Sequence, residues 1–441
     1  MSEELEDILR HITSDDDNRI KAINQINEDD QLALLLESLP IKERIQVWNE
    51  IDNNRRLEVL ISMRHDPRES IIEASQLNEL DALFDGMAAD QLIELAETLP
   101  QKLVDRALRL MDQKQIEYFE QANQFSADEI GHWVNHNLLM LPATSKVRDS
   151  LRLIRRETPI YTDAILLIDR SGRFHGAVQT NELIGIPDHT PMTEILIEDY
   201  PILRASDDMV EAARKVLNSG FSSLAVVDAS EKLIGRIDIG LANEIIIEDL
   251  ESQIMASAGL DEQEDLFSPV SRSIRGRSIW LGINLVTALL ASWFIGLFEA
   301  TLESVVALAV LMPVVASMGG IAGSQTLALI IRGLALGQVN ETNSRILLDK
   351  EFKVGLVSGA IWSVAIAIVA YYWFDSMMIG IVIALAILVN IIAASISGLL
   401  VPIALKKLNF DPALSGAVIL TTITDIVGFV VFLGLGTLFL V

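Results

Sequence analysis

The C-terminal stretch Asp411–Val441 (DPALSGAVILTTITDIVGFVVFLGLGTLFLV) decides how the rest of the chain is read. Asp411 and Pro412 suit a helix start: proline is tolerated in a first turn, and a carboxylate there complements the dipole. Beyond Pro412 the stretch carries one charge, Asp425. At 1.5 Å per residue Asp425 lies roughly 21 Å along a helix from Asp411, with about 24 Å of apolar chain beyond it. A hydrocarbon core of about 30 Å puts it near mid-membrane. A carboxylate at that depth costs about 2.5–3.5 kcal/mol, so it is expected to face protein or water and marks a functional site. A protonated Asp bonded to a neighbouring helix is the structural alternative. Thr421 and Thr422 precede it on the same face and Gly428 follows by one turn. That surrounding offers only oxygen, which suits Mg²⁺, Ca²⁺ or Mn²⁺ over soft metals. One Asp per chain is thin for such a site, and a homodimer with its pore on the two-fold axis supplies two.

Upstream, uncharged runs at 278–298, 304–331, 354–374 and 376–405 each reach the length of a span, making five in all. Arg272, Arg275, Arg277, Arg332, Arg345, Lys350, Lys353, Lys406 and Lys407 fall on one side of them; the opposite loops carry only Glu299, Glu303 and Asp375. The positive-inside rule then places the N-terminus in the cytoplasm and the C-terminus outside. In the second run Pro313 removes a backbone donor, and Gly319, Gly320 and Gly323 loosen the helix and allow close approach. Two readings stand: irregular backbone with carbonyls turned toward a cation path, or small residues packing helices tightly.

Residues 276–441 carry 8 acids against 7 bases, whereas the first 275 carry 53 against 27, a net of −26. So acidic a soluble part argues against nucleic acid and anionic lipid as partners and suits cations, although solubility alone also explains it. The chain has no cysteine, which excludes disulfides, thiolate metal sites and a cysteine nucleophile. HExxH, Walker A and GxSxG patterns are absent, so the chain reads as no enzyme. The polar, acidic N-terminus shows no signal-peptide pattern. His132 and His136 share i,i+4 spacing, read as an exposed helix face.

Residues 1–130 show apolar residues at three- and four-residue intervals, the pattern of short amphipathic helices. LLESLP (35–40) and LAETLP (95–100) repeat at an offset of 60, which suggests stacked helical pairs. Asp81, Asp85, Asp90 and Glu94 fall near one face, by default a solvated one. Residues 131–243 switch to an α/β pattern. AILLIDRSGRFHGAVQTNELI (164–184) and SLAVVDASEKLIGRIDIGLANEI (223–245) both read as strand, turn, strand, helix, with a helix before each; Asp169 and Gly176 match Asp228 and Gly235. This resembles a tandem pair of CBS modules, in which the turn acid closes the hairpin and the glycine lets the second strand approach a helix. Residues 244–272 form an acidic connector. Glu244, Glu248 and Glu251 line one face of a helix and Ile246, Ile247, Leu250 and Ile254 the other. A bound divalent ion or plain solvation would relieve the like charges.

The whole chain resembles the MgtE family of magnesium channels or transporters. The residues that carry the resemblance are RSIWLGINLVTALLASWFIGLFE (277–299), PVVASMGGIAGSQT (313–326), IIRGLALG (330–337), DPA (411–413) and TTITDIVG (421–428). The resemblance implies a multidomain protein of the bacterial inner membrane: a helical N domain, an α/β CBS pair, a connecting helix and a membrane domain (273–441) of five transmembrane helices. It further implies a homodimer in the lipid bilayer whose second and fifth spans line a passive Mg²⁺ pore, with Asp425 at the central ion site. Gly319, Gly320, Ile321, Gly323, Ala417, Thr421 and Thr422 are the implied lining. Cytoplasmic Mg²⁺ bridging the N domain (Asp90, Glu94), the CBS pair and the connector (Glu244, Glu248, Asp249, Glu251) would hold the pore shut, and ATP is an implied ligand of the CBS pair. The chain departs from the family pattern at Ile321, where Asn is usual, at Ala417-Val418, where Pro is usual, and at Leu241, Ser252 and Gln253, where acids are usual. Transport of Co²⁺ or Mn²⁺, and a non-conducting Mg²⁺ or nucleotide sensor, are the competing readings.

Overall fold

The structure, a computed structural model, describes residues 23, 26–76, 80, 83, 87–96, 98–156, 158–260, 265–339, 343–408 and 410–441. Asp81 and Asp85 lie outside the described residues. The chain divides into two units: Met1–Glu251 with Gln263–Pro269, and Ser252–Glu262 with Val270–Val441.

The first unit opens with a helical solenoid. α1 (Asp29–Glu37), α2 (Ile41–Glu50), α3 (Asn53–Ser62) and α4 (His65–Ala74) start twelve residues apart; α5 (Ala89–Ala96), α6 (Gln101–Leu110) and α7 (Gln113–Ala122) repeat the first three at an offset of 60. The repeat therefore comprises three helices, one more than the two sequence copies suggested. α1 packs on α3, α2 on α4, α3 on α5 and α5 on α7, so each short amphipathic helix buries its stripe in a shared core.

Helices this short leave a large share of their carbonyls unpaired. Two buried arginines answer that need. Arg44 donates from Nε to Leu36 O (2.9 Å), and Arg68 donates from Nε to Met63 O (3.1 Å) and from Nη1 to Glu94 O (2.7 Å). Arg44 also pairs with Asp265 through Nη2 at 2.6 Å, both side chains being almost wholly enclosed. Removing one partner of such a pair strands the other charge, at a cost of about 3–5 kcal/mol. Arg44→Met is therefore expected to lower the melting temperature of the solenoid clearly, and Arg44→Met combined with Asp265→Leu to regain most of it, in a thermal unfolding measurement. Equal melting of single and double variants would contradict the pairing.

Two three-stranded sheets follow, β1 (Met140–Pro142), β2 (Ala164–Ile168), β3 (Phe174–Gln179) and β4 (Ile202–Arg204), β5 (Ser223–Val227), β6 (Leu233–Asp238). In each the first strand pairs parallel to the second and the second antiparallel to the third. α8 (Val147–Ile154) and α9 (Met209–Ser219) precede the hairpins as expected. The turn acids close those hairpins: Asp169 Oδ1 accepts from Ser171 N (2.7 Å) and Arg173 N (3.0 Å), and Asp228 Oδ1 from Ser230 N (2.8 Å) and Lys232 N (2.9 Å). The Ser171 hydroxyl, donating to Asp169 Oδ1 at 2.6 Å, and then these backbone bonds hold the Asp169 carboxyl below the usual carboxylate range; at Asp228 partial burial is outweighed by the Ser230 hydroxyl (2.7 Å) with the backbone bonds.

Three expectations are corrected here. The first hairpin ends in a single 3-10 turn, Glu182–Gly185, because Pro187 steers the preceding residue away from helix. The matched glycines approach irregular chain, not helices: a Cβ on Gly176 would press on Leu196, and one on Gly235 on Val134 and the Asn135 carbonyl. His132 and His136 share no helix face, since the 3-10 turn Ile130–Trp133 stops between them. His132 Nδ1 lies 3.2 Å from Ala122 O and His136 Nδ1 2.9 Å from Ile234 O, while the His136 ring stacks on Tyr118 at 3.6 Å.

α10 (Ile239–Ser257) leaves β6 directly. Its apolar face is offset from the expected one. Ala242 and Ile245 are buried in the second CBS core with Ile246 at its margin, and Ile247, Leu250 and Ile254 are exposed. The first turns answer to the CBS core, which the helix period alone does not show.

In the second unit five helices are long and apolar enough to cross a membrane: Ser273–Gly296, Val306–Ala335, Ser344–Phe374, Met377–Lys407 and Pro412–Leu440. The fourth is the hub, packing on the second, third and fifth, and the first is nearly bare, touching the fifth. The third begins ten residues ahead of its uncharged run, so Arg345, Asp349, Lys350, Glu351 and Lys353 ride on its first turns. The second runs unbroken through Pro313. The irregular backbone is not observed, and small residues instead pack the helices closely: a Cβ on Gly398 of the fourth span would stand 2.7 Å from the Gly323 carbonyl oxygen, and one on Gly323 3.0 Å from the Leu420 side chain.

Candidate functional site

Two clusters bring the candidate residues together, one in each unit. In the membrane unit the fifth span starts as expected, with Asp411 Oδ1 capping Ala413 N at 2.8 Å. Leu420, Thr424, Gly428 and Phe432 face inward and are buried. Thr421 is exposed, and Ala417, Thr422 and Asp425 are half-buried. The hydroxyls of Thr421 and Thr422 donate back to Ala417 O (2.9 Å) and Val418 O (2.8 Å). Their protons thus point into the helix and their lone pairs outward, so this strip presents acceptors. Among the described residues none forms an ion pair or hydrogen bond with the Asp425 carboxylate. It is an acid on a half-open face without a protein counter-charge.

The second span divides the remaining candidates. Gly320 has open space over its Cα and Ile321 is 54 % exposed. Gly319 and Gly323 turn inward, Gly319 against the Asn390 amide and Gly323 against the Leu420 side chain. Sequence reading passed over two buried polar groups in this unit. Asn390, in mid-span four, donates from Nδ2 to Val315 O at 2.9 Å. Glu351, 3 % exposed, accepts from Thr326 Oγ1 at 3.2 Å and pairs with Lys350 Nζ at 3.2 Å. A signal for Glu351 was present: it continues the four-residue line of Gly355, Gly359 and Ser363, all buried.

In the first unit, the connector acids separate. Asp249 pairs with Arg214 at 3.4 Å, Glu251 with Arg64 at 3.7 Å, and Glu94 with Arg68 at 3.0 Å. Glu244 is different. The residue as a whole is exposed, yet partial burial of its carboxyl, and then Asp238, Glu94 and Asp30, hold its pKa above the usual carboxylate range. The structure therefore gathers acids from α1, α5, β6 and α10, of which Asp30 and Asp238 escaped notice in the sequence. Asp90 lies near His136, whose pKa burial lowers. Glu248 is exposed on the connector. His65, Asp66 and Glu69 on α4 also bring ligand atoms within 4.8 Å of one another, but Asp66 already accepts from Ser268 Oγ at 2.9 Å.

A raised carboxylate pKa means that the folded arrangement prefers the proton. Its unfavourable contribution is absent below the ordinary carboxylate value and grows as pH rises through the raised one. Metal-free protein is therefore expected to melt higher near pH 5 than at pH 7.5, and Glu244→Gln to gain at pH 7.5 and flatten the profile. An unchanged melting temperature in that variant at both pH values would contradict the crowding.

Residues 312–435 match the MgtE model, described as a divalent cation transporter, residues 27–128 the MgtE intracellular N domain, and residues 192–240 the CBS domain. The magnesium transporter MgtE of Bacillus subtilis is 25% identical over 440 residues, covering 98% of this chain and 97% of that protein. That of Thermus thermophilus is 25% identical over 452 aligned positions, covering 100% and 99%. Among solved structures, the cytosolic domain of the Mg²⁺ channel MgtE in complex with ATP is 20% identical with a TM-score of 0.46, covering 55% of this chain and 98% of that one. The chain belongs to the MgtE family, a family of transporters and not of enzymes.

Proposed function

We propose that this protein carries Mg²⁺ passively across the bacterial inner membrane as a homodimer, through a path lined by its second and fifth spans. The observation that carries the reading is Asp425, an unpaired acid beside outward-facing threonine lone pairs on a half-open face. Two such faces across a two-fold axis would hold a hydrated cation by two carboxylates, as Mg²⁺ prefers. Gly320, Ile321, Ala417, Thr421 and Thr422 line that path in this reading, with Gly319 and Gly323 behind them. The lysines and arginines gathered at one end of the spans support an N-terminus in the cytoplasm and a C-terminus outside in this reading.

Cytoplasmic Mg²⁺ regulates the path in the same proposal. The acids gathered around Glu244, with Asp90, Glu248, Asp249 and Glu251 nearby on the same elements, repel one another when empty and are bridged when the ion binds. ATP binding at the CBS pair belongs to this reading through the family resemblance, and calorimetry with Mg²⁺-free ATP tests it. Uptake of Mg²⁺ into liposomes containing the purified protein tests the whole. Flux carried by Co²⁺ or Mn²⁺ alone would favour a different cargo, and ligand-driven domain movement without flux would favour a sensor.

A further inference from the structure

We propose that Asn390 is a positioning residue of the transport path: its amide registers the second and fifth spans against the fourth and so fixes the place of Asp425. The proposal rests on the transport reading above. Asn390 is fully buried, in the middle of the most enclosed span. Its Nδ2 donates to the Val315 carbonyl of the second span at 2.9 Å. The amide lies in a notch cut by two glycines from two different helices. A Cβ on Gly428 of the fifth span would stand 2.7 Å from Nδ2, and one on Gly319 of the second span 2.9 Å from Cγ and 3.0 Å from Oδ1. The same Cβ on Gly428 would stand 3.0 Å from Val315 Cγ1, so the second and fifth spans meet each other at this level.

The chemistry sets this apart from ordinary packing. Asn390 Oδ1 is buried and has no hydrogen-bond partner among the described residues. An amide with one unsatisfied end inside an apolar bundle is costly, and a leucine, branched at the same atom, carries no polar end to leave unsatisfied. The amide does what leucine cannot: it fixes the rotation and depth of one helix by a directional bond while two glycine notches hold its plane. Gly428 follows Asp425 by three residues, one helical turn. Any slip of the fifth span at the notch moves the carboxylate by a like amount.

The test is Mg²⁺ uptake by the full-length protein in liposomes, over a range of outside Mg²⁺ and against competing Ca²⁺. Asn390→Leu is expected to raise the half-saturating Mg²⁺ concentration about tenfold and to weaken discrimination against Ca²⁺. The melting temperature in detergent stays at or above that of the wild type, and so does the internal Mg²⁺ that halves the flux. Should leucine disturb the packing, Asn390→Ala combined with Gly428→Ala, whose methyl takes the space the amide leaves, is expected to show the same change in half-saturation. A lowered maximal flux with unchanged half-saturation and selectivity would reduce Asn390 to a packing residue and overturn the proposal. If the wild type itself carries no Mg²⁺ while the variants match it, the transport reading falls and this inference with it; normal wild-type flux with normal Asn390→Leu affinity sinks this inference alone.

Discussion

Asp425→Ala is expected to reduce Mg²⁺ uptake at least about a hundredfold. Two unit charges 4 Å apart at an effective dielectric of about 20 attract by about 4 kcal/mol, and a divalent ion doubles that. Each tenfold in rate corresponds to about 1.4 kcal/mol, so losing even a third of the attraction reaches the stated factor. No other charge lies in Pro412–Val441 to take over. Asp425→Asn keeps the volume and is expected to show the same loss while melting like the wild type, because no described residue depends on the carboxylate for a bond. Uptake within a few fold of wild type in both variants would remove Asp425 from the path.

The second large effect concerns regulation. Asp30→Asn, Glu94→Gln and Glu244→Gln combined are expected to abolish the response of flux to internal Mg²⁺ and to leave it near the shut level, because neutral side chains need no ion to stay together. Couplings between sites are typically about 1–3 kcal/mol, a 5–150-fold change in the open fraction. Flux in wild type and variant is to be compared at micromolar and millimolar internal Mg²⁺. A variant inhibited by the same internal Mg²⁺ as the wild type would place the sensor elsewhere. Glu94→Gln alone also weakens the bond to buried Arg68, so a thermal melt of each single variant accompanies the comparison.

What could be read in advance follows from the range over which each signal acts. The fifth span, the turn acids Asp169 and Asp228 and the repeats at 59 and 60 residues are local patterns, and local patterns survive folding. The third span reads short in the sequence because its first turns carry Arg345, Lys350 and Lys353, whose long stems let charged heads reach water from a helix end. The faces of the second span were not legible. Gly319 and Gly320 are neighbours in sequence, yet one meets Asn390 and the other open space, and only the fourth span decides which. Nor were the companions of Glu244: Asp30 and Asp238 come from opposite ends of the first unit, and no spacing rule links them. Arg44 reads as one more surface arginine on an amphipathic helix until α1 and Asp265 close around it.

The most direct test of the central proposal is Mg²⁺ flux into liposomes containing purified protein, measured with low and with millimolar Mg²⁺ on the cytoplasmic face. The expected result is flux at low internal Mg²⁺ that is lost in Asp425→Ala and shuts off at millimolar internal Mg²⁺. Absence of Mg²⁺ flux under both conditions from protein that melts cooperatively would contradict it.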